Sequence, residues 1–350
     1  MELRLITKED RRQAIELADA TFRTSEQDSM GDAFPFIYSP GISHSYGAFD
    51  EGRLVSFMGL VPSVVRVGGA RLSVFSLGSV CTHPDYRGQG LAGSLLELCK
   101  QHAQAAGASL LFVSGDRSLY TRAHCYPFGQ SYHYTLDAST AAQLKVDGGS
   151  VRTRLLEVKD FLMLQQVASS REVAFEQSVT DLQLLISGGS LASCYTLQQH
   201  VYVTEDSEGQ VLAFLIVGVP FNEGNGNAMT IEWGGPADQV ELLLGEAMHA
   251  LNLPSIEVAI GWHEEELIAI LTEAGLSSRI SPNSGTVCII NEQQLLKQVK
   301  PYLTQEVDGL DNLSPLEVVN LLFNPDLAQV PGEKNANVIP LPYLSSLNFI

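Results

Sequence analysis

Between residues 80 and 96 the chain reads V-C-T-H-P-D-Y-R-G-Q-G-L-A-G-S-L-L. An apolar run enters a glycine-bearing loop, and that loop opens an apolar-periodic helix. Six successive residues, Arg87, Gly88, Gln89, Gly90, Leu91 and Ala92, can turn backbone N–H groups toward one point. The start of a helix carries unpaired donors and the positive end of the helix dipole, so such a loop suits an anion. Gly88 and Gly90 permit left-handed backbone and close approach by a bulky diphosphate. Ala92 keeps the first turn small, and Arg87 adds a fixed charge at the entrance. A Walker loop is excluded, because Gly90 is followed by Leu91-Ala92 and not by Lys-Ser/Thr. Gly88, Gly90 and Gly93 satisfy the Gly-x-Gly-x-x-Gly spacing of dinucleotide folds. That motif should open a first βαβ unit, whereas here it follows several hairpin-like strands.

The elements that must position this loop are legible in the pattern. A strand at 4–6 leads into a helix over 9–22, and a looser stretch with a short helix follows. Strand-like runs at 43–49, 54–67 and 71–80 are broken by Asp50-Glu51-Gly52 and Gly68-Gly69. In the helix from 91 to about 106, Leu91, Leu95 and Leu98 form a stripe beside Ala92, Leu96, Cys99 and Ala103. A buried strand at 109–113, a short helix at 118–123 and a strand at 130–136 complete the first part. The polar, small-residue run at 137–150 reads as a boundary. Beyond it the order partly repeats: a helix at 158–169, a hairpin of strands 200–205 and 211–219, strand 229–233, a helix to about 251, strand 256–260, helix 264–273 and strand 286–290. Helices at 292–303 and 314–323 and an apolar tail, V-I-P-L-P-Y-L-S-S-L-N-F-I, end the sequence.

Composition narrows the classes. The chain has 350 residues, 45% hydrophobic and 17% charged, which is globular and long enough for two cores. Its net charge of −19 argues against nucleic acid as a partner. Residues 1–150 hold 13 basic and 15 acidic side chains, and residues 151–350 hold 8 and 25. The first part can accept a polyanion; the second presents a negative surface that serves solubility or attracts a cationic amine. The five cysteines are scattered without a CxxC pair, which argues against a disulfide framework and a structural zinc site. With no signal-peptide core and no membrane-length apolar run, a cytoplasmic location away from the membrane is the expectation.

The stretch V-C-T-H-P-D-Y-R-G-Q-G-L-A closely resembles motif A of the GNAT (Gcn5-related) N-acetyltransferases, with Arg87, Gly90 and Ala92 at its Arg/Gln-x-x-Gly-x-Gly/Ala positions. The strand that follows and S-L-Y-T-R-A-H-C-Y-P-F-G resemble motif B, where Tyr120 matches the family tyrosine; His124 and Cys125 replace the usual Gly-Phe. The likeness is strongest over 76–129. Residues 151–303 resemble a second GNAT-like domain, as in the two-domain Eis-type acetyltransferases. Its loop, Gly234 to Gln239, lacks the Arg-x-x-Gly-x-Ala pattern, and Pro236 and Asp238 disfavour polyphosphate there.

The resemblance implies a mixed α/β fold of tandem GNAT-like domains, at 1–137 and, degenerate, at 151–303, with a tail at 304–350 docked on the body. It implies acetyl-CoA as acyl donor and no metal. Pantetheine would pair with backbone around Ser79, Val80 and Cys81 in a splay between two strands, and the pyrophosphate would rest on the amides of residues 87–92. The Val80 N–H would polarise the thioester carbonyl, and Tyr120 would protonate the leaving thiolate. The usual strand glutamate is missing, since Ser76, Gly78 and Ser79 hold those places. His83 is a titratable neighbour whose position before Pro84 better suits loop shaping. The carboxylate at Ile350 is a candidate base by analogy with Eis-type tails. Glu26, Asp28 and Asp32 are candidates for gripping a cationic acceptor. The reaction expected is acetyl transfer to a primary amine of a small molecule or peptide by direct attack in a ternary complex. The alternatives are a non-catalytic acyl-CoA sensor or scaffold, and an acidic interaction protein that binds a basic partner. The apolar tail allows docking on the same chain or in a homo-oligomer.

Overall fold

The structure, a computed structural model, describes residues 1–24, 27–39, 41, 43–144, 151–221, 227–305, 307, 309–326 and 338–350. It divides into two compact units, one of Met1–Phe128, Ser284–Leu344 and Asn348–Ile350, the other of Gly129–Asn283 and Ser345–Leu347.

In the first unit, β1 (Glu2–Leu5) leads to α1 (Arg11–Phe22) and α2 (Met30–Ala33). Asp10 fixes that entry: it takes both guanidinium N–H groups of Arg4, one at 3.0 Å, and the Thr7 amide at 2.8 Å. Asp19 seats α2 by accepting from Ser29 Oγ at 2.8 Å and the Met30 amide at 2.6 Å. Strands β2 (Tyr46–Asp50), β3 (Arg53–Val67) and β4 (Ala70–Thr82) form an antiparallel meander, and α3 (Leu91–Ala105), β5 (Leu110–Val113) and α4 (Ser118–Arg122) follow. The faces of the sheet alternate with period two, reset in β4 by a bulge between Leu77 and Cys81. Leu60, Phe75 and Leu77 pack with Leu95, Leu96 and Cys99 of α3. Phe57, Val61 and Cys81 pack with Ala14 and Leu17 of α1.

The second unit holds β6 (Ser131–Asp137), α5 (Ala138–Ala141), β7 (Arg152–Leu155), α6 (Phe161–Ser170), β8 (Val173–Phe175), α7 (Val179–Gly188), α8 (Ser190–Cys194), β9 (Leu197–Glu205), β10 (Val211–Pro220), β11 (Ala228–Gly234), α9 (Ala237–Ala250), β12 (Ser255–Gly261), α10 (Glu265–Glu273) and β13 (Ser278–Ser281). Its sheet runs β13–β6–β12–β11–β10–β9–β7. The core lies under α9, where Val240, Leu243, Leu244 and Ala247 meet Leu215, Val217 and Ile256.

The chain then returns with β14 (Thr286–Ile289), α11 (Glu292–Val299) and α12 (Pro315–Phe323). β14 pairs with β5, so the first sheet runs β1–β2–β3–β4–β5–β14. Sequence order and sheet order therefore part company. Strand 131–137, read in sequence beside the first-part strands, hydrogen-bonds to β12 and β13. Strand 286–289, read with the second part, hydrogen-bonds to β5. The helix expected at 292–303 stops at Val299, because Pro301 lacks the N–H needed to continue it.

The two units share a local device. Arg154 reaches Asp160 at 2.6 and 3.0 Å and the Leu155 carbonyl at 3.1 Å, and Asp160 accepts the Glu157 amide at 2.8 Å. Arg4, with Leu5, Thr7 and Asp10, makes the same set, including Arg4 to the Leu5 carbonyl at 3.0 Å. Each residue of one set lies 150 positions from its counterpart. The repeat R-L-x-x-x-x-D was present in the sequence and passed over, because a strand end with a charged pair reads as surface.

Candidate active site

β4 and β5 run parallel and in register from Val74/Leu110 to Leu77/Val113. Past that point they part, and the last link is a Ser114 N–H to Leu77 carbonyl bond of 3.3 Å. β4 diverges through a bulge. Gly59 stands opposite Gly78 and Phe57 opposite Cys81, so Ser79 and Val80 together face Met58. Ser79 has φ of +50°, a left-handed conformation that a non-glycine residue adopts only where its surroundings hold it. A bulge bends its strand and leaves a backbone group outside the ladder. Of the three residues expected to meet pantetheine, Ser79 and Val80 form this bulge, and Cys81 is where β4 rejoins the β3 ladder.

The loop beyond is pinned from below. His83 caps the short 3₁₀ turn Pro84–Tyr86, accepting the Asp85 amide at 3.3 Å, and its other ring nitrogen meets Arg53 at 3.0 Å. The Tyr86 hydroxyl donates to Asp50 at 2.7 Å, and Arg87 Nε donates to the Thr82 carbonyl at 3.2 Å. His83 thus works as a loop anchor. The Arg87 amide is spent within the turn, on the Pro84 carbonyl at 3.2 Å. The expected cradle of amides consequently begins one residue later. From Gly88 to Gly93 the backbone N–H groups have no acceptor among the described residues, and the first bond of the helix is Ser94 N–H to Gly90 carbonyl, 3.1 Å. Gly88 and Gly90 sit at φ of +77° and +78°, and nothing lies within 4 Å of where their side chains would start. No side chain caps α3. A helix start with free amides, a positive dipole end and the Arg87 guanidinium beside it has the donors an oxyanion would need.

Tyr120 lies on α4, beyond the end of β5, with its ring against Gly115. It is 7% exposed and packs in the cluster that Val80 also joins. Burial raises its pKa above the ordinary tyrosine value, so the hydroxyl keeps its proton at neutral pH. Cys81 is 3% exposed and burial pushes its thiol up to about 12; its contribution is limited to its backbone.

Ile350 packs against β4 from the α1 face. A side chain built on Gly78 would meet the Ile350 carbonyl oxygen at 2.2 Å, so only glycine allows the tail to lie there. Ile350 is 8% exposed among Tyr38, Phe57 and Cys81, and Phe349 rests 6.4 Å from the Phe34 ring. Two buried hydroxyls, Tyr38 Oη and Ser79 Oγ, have no hydrogen-bond partner of standard geometry among the described residues. Burial holds Tyr38 far above its usual pKa, while the Ser79 hydroxyl opposes that shift. Neither hydroxyl was singled out from sequence. Tyr38 sits in P-F-I-Y-S-P, which offers no signal beyond aromatic content, and Ser79 was noted only for its backbone. Asp28 and Asp32 are exposed, Asp32 in the first turn of α2. Glu26 lies outside the described residues.

The equivalent place in the second unit is built differently. β11 and β12 pair in parallel over Ala228/Ile256 and Met229/Glu257 only. Past them, Arg171 is ion-paired to Glu232 and, at 2.7 Å, to Glu264, with its guanidinium 5.4 Å from the centre of the Trp233 ring. Trp233 is a core residue, and Glu232 is spent on this ion pair. Among the described residues, no helix is long and apolar enough to cross a membrane, and no group of three or more His, Cys, Asp or Glu is placed to hold a metal.

A mixed α/β fold with two mixed sheets is shared with known acyltransferase structures. A probable N-acyltransferase from Enterococcus faecalis V583 superposes with a TM-score of 0.68 at 17% identity, covering 85% of this chain and 74% of that one. A GCN5-related N-acetyltransferase from Anabaena variabilis gives 0.64 at 15% identity over 85% and 74%. Eis1 from Mycobacterium abscessus gives 0.61 at 11% over 85% and 75%. No curated protein sequence matches the chain. Residues 2–127 match the family model described as the acetyltransferase (GNAT) domain. The match is to that segment, and the structural likeness, at 11–17% identity, is one of fold.

Proposed function

We propose that the protein is an N-acetyltransferase that carries an acetyl group from acetyl-CoA to a primary amine of a small molecule or peptide. The observation that carries this reading is the parting of β4 and β5 directly before a helix start whose amides, Gly88 to Gly93, are unclaimed. The pyrophosphate rests on those amides beside Arg87, and pantetheine follows the bulge at Ser79–Cys81. The thioester carbonyl accepts from the Val80 N–H, which favours the tetrahedral oxyanion. The neutral amine attacks in a ternary complex, the thiolate departs, and Tyr120 supplies its proton. The Ile350 carboxylate, held at Gly78, takes the proton that the amine loses, in place of a strand glutamate. Asp28 and Asp32, with Glu26, draw in a cationic acceptor. The first unit performs the chemistry; the second, with Arg171 seated where its own strands part, has no polyphosphate cradle and serves architecture and acceptor selection.

Thiol release from acetyl-CoA across a broad amine panel tests the reading. Amine-dependent release that falls in Tyr120→Phe supports it. Tight coenzyme A binding by calorimetry with no release for any amine replaces it with the acyl-CoA sensor, a reading that the lack of a carboxylate side chain on the bulged part of β4 favours.

A further inference from the structure

Two of the five cysteines, read as scattered in the sequence, meet in the fold. Tyr126 and Val287 exchange both backbone hydrogen bonds, each 2.9 Å, as an antiparallel bridge. One step outward along both strands, Cys125 stands directly opposite Cys288. Next to a doubly bonded pair the following pair is a non-hydrogen-bonded one, with Cα atoms about 4.5 Å apart. That lies within the roughly 4.4–6.8 Å range that a disulfide spans. Both side chains enter the same core cluster, so they point to one side, and both are free thiols here.

We propose that Cys125 and Cys288 form a reversible cross-strand disulfide. The surroundings select this pair over the other three cysteines. Lys100 Nζ lies beside them, donating to the Ala123 carbonyl at 3.1 Å, and Cys288 Sγ points to the same carbonyl at 3.7 Å. The two sulfurs interact directly, which, with Lys100 nearby, holds Cys288 below the usual thiol range and Cys125 above it. Cys288 is thus the sulfur that loses its proton more readily, and Cys125 the resolving thiol. A cavity of about 310 Å³ lined by Lys100, His124, Cys288 and Glu292 offers a path for a small oxidant. Cys81 and Cys99 have burial-raised pKa values of about 12, and Cys194 is exposed.

The chemistry balances with hydrogen peroxide as oxidant. The Cys288 thiolate attacks the peroxide O–O bond, forming an S–O bond and releasing hydroxide, which leaves as water after protonation. The Cys125 sulfur, on losing its proton, attacks the sulfenic sulfur, forms the S–S bond and expels the second oxygen as water. Two thiols are oxidised by two electrons and one peroxide is reduced to two waters. A dithiol reductant reverses the change by exchange. Residues 129–283 lie between the two cysteines in the chain and form the second unit almost entirely. The bond would therefore close the loop from which that unit is spun out, removing freedom from the unfolded chain.

The reduced full-length protein is treated with a slight excess of hydrogen peroxide, alkylated in denaturant and mapped by mass spectrometry. The expected result is a linked Cys125–Cys288 peptide, loss of two alkylatable thiols of five, and full recovery after dithiothreitol. The oxidised protein should unfold roughly 5 °C higher than the reduced one. In Cys288→Ser no link forms and Cys125 stays alkylatable. The wild-type mapping stands alone should that variant fold poorly. Consumption of Cys194 with Cys125 and Cys288 untouched, or over-oxidation of Cys288 without a link, overturns the proposal. An unchanged unfolding temperature in a fully linked sample overturns the loop-closing role.

Discussion

At Gly78 one hydrogen atom decides whether the tail can reach the strand. A methyl group there would lie 2.2 Å from an Ile350 main-chain oxygen and 2.3 Å from the carbon that bears it, so rotating that group cannot relieve the clash. Gly78→Ala is therefore expected to dislodge Phe349–Ile350 and cost about 1–3 kcal/mol of stability. If Ile350 supplies the base, turnover falls while coenzyme A affinity, measured by calorimetry, is unchanged; undiminished turnover would remove Ile350 from the mechanism. For Tyr120 the expectation concerns pH as well as rate. Burial raises its pKa, and a general acid acts while protonated, so its loss of activity falls above the ordinary tyrosine value. The pH profile of kcat should show no descending limb below about pH 10, and Tyr120→Phe should lower kcat roughly 100-fold. A limb below pH 10 assigned to an enzyme group would point to another acid. The glycine-bearing loop that opens α3 was legible because Gly88 and Gly90, both left-handed, stand directly before an apolar-periodic helix. Tyr38 and the Ser79 hydroxyl were not, since their meaning depends on the bulge and on a tail residue hundreds of positions away.

Among the elements, those with strong local periodicity were read with nearly correct ends: the helix from Leu91, the hairpin strands Arg53–Val67 and Ala70–Thr82, and the short Ser118–Arg122 helix before Tyr126. The elements passed over have a physical reason in common. β7 is R-T-R-L, and its Arg154 is 9% exposed only because Asp160 and Glu205 neutralise it; polar strands of this kind give no alternation to read. Sheet order was equally hidden, because β14 finds β5 across more than a hundred residues and nothing local encodes the pairing. The repeated Arg–Asp clasp leads to a stability prediction. The Arg4 guanidinium holds the Asp10 carboxyl down at about 2, through a hydrogen-bonded ion pair. A depressed folded-state pKa means stability that is present above the unfolded value near 3.8 and lost as pH falls toward 2. Asp10→Asn should cost roughly 2 kcal/mol near neutrality and flatten the acid dependence between about pH 4 and pH 2. Asp160→Asn removes the matching clasp of the second unit, where Arg154 still holds Glu205 at 2.6 Å. Chemical denaturation of the two variants, followed from neutral to acid pH, checks both. An acid limb unchanged in Asp10→Asn would show that the clasp contributes nothing there.

Charge acts on the scale of the whole molecule. The sequence carries −19, of which residues 1–150 contribute −2 and residues 151–350 contribute −17. A field of that size repels the coenzyme and draws in a cation, yet the loop from Arg87 to Ala92 has no acidic side chain and presents amides and a guanidinium. In the proposed reaction the two ligands would meet opposite electrostatic conditions: the anionic donor would rely on short-range hydrogen bonds at a neutralised patch, and a cationic acceptor would be gathered at long range. Long-range attraction is screened beyond about 10 Å at 0.1 M salt, whereas the contacts of a bound pyrophosphate are screened far less. Raising ionic strength from about 0.02 to 0.3 M, a span over which the screening length shrinks several-fold, should therefore lower kcat/KM for a polycationic amine several-fold through its KM. The kcat at saturating acceptor should stay the same, and a mono-amine of similar reactivity should lose much less. Substituting the exposed Asp28 and Asp32 by asparagine should reproduce part of the loss at low salt. Steady-state thiol release with a matched pair of amines makes the comparison. Equal salt responses for the two amines would assign the acidic surface to solubility alone and turn the search for the acceptor toward uncharged or peptide amines.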